Sequence, residues 1–282
     1  MSRRRASSRA PLRRFLRDPA AVVGGLLLVL VTVPLYLASW LAPDDPYAVN
    51  VPNRLAGFSG SHPLGTDGLG RDVLTRILYG GRTSVLLTLA VTAIITVVGG
   101  FFGVLAGMRG GIIDRLVMQL VDIVQAVPLV IVSMVTIALL GAGTAKLIFV
   151  IAVLGWTRHT RVVRAATLSL REREFIESSR VLGASRLRIA WRHILPNIVR
   201  PVVVLSTLDV GRILLLTSTL SFLGFGARPP TPEWGSMLAD ARTYFFVAPR
   251  LLIIPGVAIF LVAWSANLFG EGMRDAFETR EI

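Results

Sequence analysis

The strongest constraint in this sequence is the length of its charge-free windows. Residues 19–43, 83–108 and 251–270 contain no Asp, Glu, Lys or Arg, and residues 116–145 carry only Asp122. A helix needs about 20 mostly apolar residues, rising about 1.5 Å each, to cross the roughly 30 Å hydrocarbon layer of a bilayer. The chain is therefore read as an integral membrane protein. Its charged fraction of 17% with 53% hydrophobic residues, against about 25% charged in soluble domains, leaves more apolar surface than a 282-residue soluble globule can hide. Disorder is excluded on the same grounds. The absence of cysteine excludes disulfide scaffolds, thiol catalysis and thiolate metal sites.

Six spans are predicted, making an all-α membrane protein. The first is 19–43. The seven arginines before it resemble a signal-peptide start, but the apolar run is longer than the roughly 7 to 15 residues of a cleaved core, so a retained helix is expected. The second and third are 83–108 and 116–145. The fourth, from about 142 to 158, has Lys146 near one end, where a long side chain can snorkel. The fifth, about 197–225, contains Asp209 and Arg212, and the sixth is 251–270. Basic residues collect on the cytoplasmic side of membranes. With both ends inside, segments 1–18, 109–115, 158–200 and 271–282 hold 21 arginines, against 8 basic residues on the other side. This divides the chain into a basic cytoplasmic tail (1–18), a first span (19–43), an extracytoplasmic loop (44–82) and a core (83–282) with a cytoplasmic loop at 159–196 and an outer loop at 226–250. It also accounts for the net charge of +13 without nucleic acid.

The cytoplasmic loop has internal order. Residues 171–182 alternate charge with Phe175, Ile176, Val181 and Leu182, an amphipathic pattern, and Gly183 stands where a helix end wants positive φ. Ser185 is placed to cap a second helix over 186–194, and Pro196 stops it or bends the chain into the fifth span. Phe175, Ile176, Val181 and Leu182 are expected to rest on the protein or membrane surface while Glu and Arg face a partner. Lipid-headgroup binding by the same arginines is the simpler alternative.

Glu177-Ser178-Ser179, three residues, Gly183, nine residues, then His193-Ile194-Leu195-Pro196 resembles the EAA loop of ABC importer permeases. Both alanines are replaced by serine, and His193 stands at the isoleucine position. The likeness continues through Leu41-Ala42-Pro43-Asp44-Asp45-Pro46-Tyr47, His62-Pro63-Leu64-Gly65-Thr66-Asp67, Gly70-Arg71-Asp72, Leu220-Ser221-Phe222-Leu223-Gly224, Pro232-Glu233-Trp234-Gly235 and Asn267-Leu268-Phe269-Gly270. The chain is thus similar to the C-type permeases of the dipeptide, oligopeptide and nickel family. Thr217 departs from an acidic residue common in that family. The resemblance implies a type I importer fold in the bacterial inner membrane and a coupling role for Glu177, Ser178, Ser179, Gly183, His193, Leu195 and Pro196. It also implies a homologous B-type permease, two cytoplasmic ATPase subunits and an external binding protein as partners. No cofactor is expected on this chain, ATP and magnesium being used by the ATPases. Relatives carry di- and oligopeptides, nickel chelates, glutathione or haem.

Asp209 and Arg212, three apart, share a helix face; they either line the translocation path or pair to fix helix packing. Asp122 and Gln125 are expected near Arg115 and Arg109 as interface groups, and Pro128 is expected to kink the third span. Residues 72–79 are read as a short amphipathic helix serving as an elbow after a glycine-rich loop. Trp234, after a Pro-rich turn, is read as an aromatic anchor at the outer interface. Gly57-Phe58-Ser59-Gly60 superficially matches an intramembrane protease motif but lies in a polar loop. A P-loop needs Gly-Lys followed by Ser or Thr, and the single lysine, Lys146, follows Ala145 and precedes Leu147. ATP-driven work must then use a separate motor. The competing class is a self-sufficient secondary transporter or channel, which would be expected to show broken helices in two repeated halves.

Overall fold

The computed structural model describes residues 15, 18–42 and 44–277. The arginines of the 1–18 tail and Arg280 lie outside the described residues. Helix α1 (Pro19–Tyr36) begins at Asp18, whose carboxylate accepts from the Ala20 amide, with Pro at the first position. A single turn, Ala38–Leu41, follows. The outer loop then leads to α2 (Val73–Arg109), capped by Asp72 through the Thr75 amide. The expected elbow at 72–79 is corrected here, because those residues are the opening turns of α2. Gly80 and Gly81 do not interrupt it, since Met237 and the Trp234 ring press against them where side chains would stand.

Helices α3 (Gly111–Ala126) and α4 (Leu129–Leu140) meet at 83°. A kinked single helix was expected; the chain breaks instead. Pro128 has no amide hydrogen and drives the preceding residue out of the helical region, and Val127 accordingly sits at φ −107° and ψ 135°. Helices α5 (Thr144–Gly155) and α6 (Thr157–Arg171) are joined through Trp156, itself in the right-handed helical region. Helix therefore resumes beyond the predicted limit of the fourth span and takes up the beginning of the 159–196 loop.

After α7 (Glu174–Val181), one helical turn, Arg186–Ile189, and a π-helical stretch, Ala190–Ile194, lead directly into α8 (Leu195–Phe222). Pro196 occupies one of the first two positions of α8, but the chain enters it already helical from the π-helical stretch, so proline does not stop the helix there. Helices α9 (Trp234–Ala241) and α10 (Arg250–Phe277) complete the order. Among the described residues there is no strand, only an isolated bridge between Thr66 and Asp72.

Helices α1, α2 and α10 are each long and apolar enough to cross a membrane, and the bent α3–α4 pair is a fourth candidate. The molecule is apolar outside: Leu30, Val97, Phe101, Leu139 and Phe260 are all exposed. Lipid supplies no hydrophobic drive between helices, so close backbone approach has to hold them together. Gly99, Gly103 and Gly107 form one stripe of α2 against α6. A Cβ at these positions would lie 2.5 Å from His159 Cβ, 2.6 Å from Val163 Cβ and 2.6 Å from Thr167 Cβ respectively.

Candidate functional site

Two constellations stand out, one on the cytoplasmic loop and one inside the bundle. In the loop, Glu174 and Glu177 occupy the first turn of α7, where the helix dipole favours negative charge. The helix ends in a Schellman arrangement: the Gly183 amide donates to the Arg180 carbonyl at 3.0 Å and the Ala184 amide to Ser179 at 3.0 Å. Gly183 has φ +81° and open space around it, so glycine is required by backbone conformation and not by crowding. Ser185 caps the next turn through the Arg188 amide, as expected.

Ile176 is the anchor. It is fully buried in a cluster with Val163, Ile189, Ile194 and Ile198, against which Leu195 also packs. The far side of the motif closes over α7: Ser179 Oγ lies 3.5 Å from His193 Nε2 and the Phe175 and His193 rings are 6.0 Å apart. Glu177 and Ser178 face outward. Of the two resting places expected for Val181 and Leu182, the protein and the membrane surface, the protein is not used: both side chains project from it, 83% and 86% exposed. The loop therefore presents a rigid helix with a carboxylate and two bare aliphatic side chains at its tip.

Inside the bundle, Asp209 of α8 is 2% exposed. Its closest partner is Arg158 of α6, which the sequence reading missed. Arg212 lies 3.9 Å from the same carboxylate oxygen, and His159 Nδ1 lies 3.6 Å from the other. The His159 ring continues the network, with Nε2 at 3.3 Å from Thr96 Oγ1, which is 2.8 Å from Ser206 Oγ. Three helices are thus tied through one buried imidazole. Asp122 pairs with Arg161 at 2.6 Å, a correction to the expected Arg115 and Arg109. Arg164 holds Asp114 with both Nε and Nη2. Arg158, Arg161 and Arg164, spaced by three along α6, form a ladder of ion pairs to α8 and α3. That spacing was the signal available in the sequence.

A cavity of about 600 Å³ opens at the α3–α4 bend, lined by Arg158, Arg161, Arg212 and Gln125 along with Val127 and Pro128. Neither Asp122 nor Asp209 lines it, so its charged lining is entirely cationic.

The outer loops are built from their own polar groups. Asp67 accepts from the Leu69 and Arg71 amides and from Arg71 Nε, and His62 contacts Asp72 at 3.0 Å. Glu233 caps α9, accepting from the Gly235 and Ser236 amides at 2.9 Å each and from Ser84 Oγ at 3.1 Å. Burial pushes its carboxyl above the usual carboxylate range, opposed by those hydrogen bonds. Trp234 is fully buried and its indole donates to the Ile77 carbonyl at 2.9 Å. The interfacial anchor expected there is instead a core residue locking the outer loop onto α2.

Comparison with known proteins agrees with this architecture. Residues 99–282 match the family described as binding-protein-dependent transport system inner membrane component, and residues 9–57 match the N-terminal TM domain of oligopeptide transport permease C. The chain is 38% identical, over 95% of its length and 89% of the relative's, to the glutathione transport system permease protein GsiD of Pectobacterium atrosepticum. It is 39% identical over the same shares to that of Escherichia coli O6:K15:H31. A solved structure of the MetNI methionine ABC transporter in inward-facing conformations shares the fold, with a TM-score of 0.53 and 19% identity over 72% of this chain and 96% of that one. The apolar helices of the chain and these relatives place it in the inner membrane, as a transport component. The chain belongs to the binding-protein-dependent inner membrane component family and is a permease subunit of an ABC importer.

Proposed function

We propose that the chain is one half of a heterodimeric pore that imports di- or oligopeptides, glutathione among them, with six spans and both ends in the cytoplasm. A homologous B-type permease forms the other half, an external binding protein delivers substrate, and two ATPase subunits, using ATP and magnesium, supply the energy. Helix α7 is the coupling element. The observation that carries this reading is the geometry of the loop: a helix ended by Gly183 and rooted by Ile176, with Glu177, Val181 and Leu182 turned outward. Force passes between two polypeptides through a stiff element with fixed ends. At the cavity of the α3–α4 bend, Arg158 and Arg161 are engaged by Asp209 and Asp122, which leaves Arg212 as the group for a substrate's carboxylate, and peptides and glutathione both carry one.

The test is the reconstituted complex with its partners. Gly183→Pro and Glu177→Arg are expected to leave membrane insertion intact while binding-protein-stimulated ATP hydrolysis and uptake fall roughly tenfold, within the usual range of coupling energies. Normal stimulation and uptake in both variants would overturn the coupling role.

A further inference from the structure

Four guanidinium groups converge where the ends of α2 and α6 meet the coupling loop. Arg109, Arg171, Arg180 and Arg186 line a cavity of about 350 Å³ over a floor that includes Met108 and Ile189. Arg171 donates to the Gly107 carbonyl at 3.2 Å. Among the described residues, none of the four has a carboxylate within ion-pair distance; the acids nearby in sequence pair elsewhere or not at all. Four like charges around one cavity attract any anion placed among them.

A second cavity adjoins the first. A groove of about 800 Å³ runs between α2 and the lead-in to α8, lined by side chains such as Val97, Phe101, Val104, Leu187, Trp191 and Val199. It shares Met108, Arg109 and Arg186 with the arginine cavity, so a cationic compartment and an apolar one meet at these three side chains. Val97, Phe101, Leu187 and Trp191 are all exposed along it.

Each half excludes an occupant that would satisfy the other. Free phosphate pairs with the arginines and leaves the groove bare. A neutral lipid fills the groove and leaves the guanidiniums unpaired. We propose that an anionic phospholipid occupies both compartments, its phosphate held by Arg109, Arg171, Arg180 and Arg186 and an acyl chain lying in the groove beneath Phe101 and Trp191. Guanidinium forks match phosphate oxygens bidentately, and basic pockets between helices on the cytoplasmic side suit such headgroups. The site borders α7, so the lipid would brace the root of the coupling loop. This inference does not depend on which substrate the permease carries.

The test uses the complex purified with its partner subunits from nanodiscs of equal phosphatidylglycerol and phosphatidylcholine, counting retained phospholipid by mass spectrometry. Phosphatidylglycerol is expected to be retained over phosphatidylcholine roughly tenfold, and the Arg109→Gln/Arg186→Gln pair to abolish that preference while Arg109→Lys/Arg186→Lys keeps most of it. Should the double variant fail to assemble, Arg186→Gln alone, on the exposed loop, is read the same way. Equal retention of the two lipids by the wild type, unchanged retention by the Gln variants, or full displacement by inorganic phosphate overturns the proposal. So does efficient cross-linking of Trp191→Cys to the partner permease, which would make the groove a protein contact.

Discussion

Asp209 is a carboxylate in an apolar bundle, and such a group persists only where opposite charge is held against it. Arg158 provides the close contact and Arg212 a looser one on the same oxygen. Asp209 is buried whereas Arg158 is 45% exposed, so loss of Arg158 leaves a buried carboxylate without its closest partner, while loss of Asp209 leaves an arginine that can turn to solvent. Arg158→Gln is expected to lower the melting temperature of the detergent-purified complex markedly, Arg212→Gln to lower it little, and Asp209→Asn/Arg158→Gln to recover part of the loss. Strict additivity of the two single effects would show that the residues are uncoupled. The Asp209 and Arg212 spacing was legible in the sequence because residues three apart on a helix share a face. Arg158 was not, because it reaches Asp209 from another helix. Gly183 and Ser185 were legible for the opposite reason: helix caps are local, and their chemistry is complete within a few residues.

At the scale of elements, α2 is held to α6 by absent side chains. Gly103→Val is expected to destabilise the complex by about 1–3 kcal/mol through overpacking, since the new Cβ would meet both Val163 Cβ and, at 2.8 Å, the Thr160 carbonyl. Thermal melting of the purified complex checks this, and an unchanged melting point would mean the helices separate freely. Helix α9 depends instead on Glu233. Its carboxyl binds a proton more tightly in the folded chain than in the unfolded one, so its contribution to stability is greatest below the ordinary carboxylate range and declines as pH rises through the raised value. Glu233→Gln is expected to flatten that decline in melting experiments across pH. A profile identical to the wild type would place the titration elsewhere. Trp234 shows why this loop was misread. An indole beside prolines in an outer segment fits an interface anchor equally well, and only the cleft between Gly81 and Ile77, assembled by tertiary packing, decides for burial. The break at Pro128 was half legible: proline marks the position, whereas the angle depends on what the two arms pack against.

For the whole molecule, the apolar exterior and the family place the chain in a membrane, and orientation rests on the bias of arginines. The native chain has no cysteine, so single cysteines report their own side without background. Ser61→Cys and Ser178→Cys both stand at exposed positions. In spheroplasts, a membrane-impermeant maleimide is expected to label the first directly and the second only after permeabilisation; the reverse pattern would invert the topology.

Helix α6, from Thr157 to Arg171, has a mechanical consequence. At about 1.5 Å per residue it is roughly 22 Å long, and α7 follows at one end. The salt bridge from Arg158 to Asp209 holds the other end. A tilt of about 5° about that point swings the far end by roughly 2 Å, a displacement on the scale of known helix shifts at interfaces. Beside the pivot, Arg161 links the helix to Asp122 on the arm of α3 that ends at the Pro128 break. Under the coupling role proposed for α7, a push there would reach the bend as leverage, without any helix having to unwind.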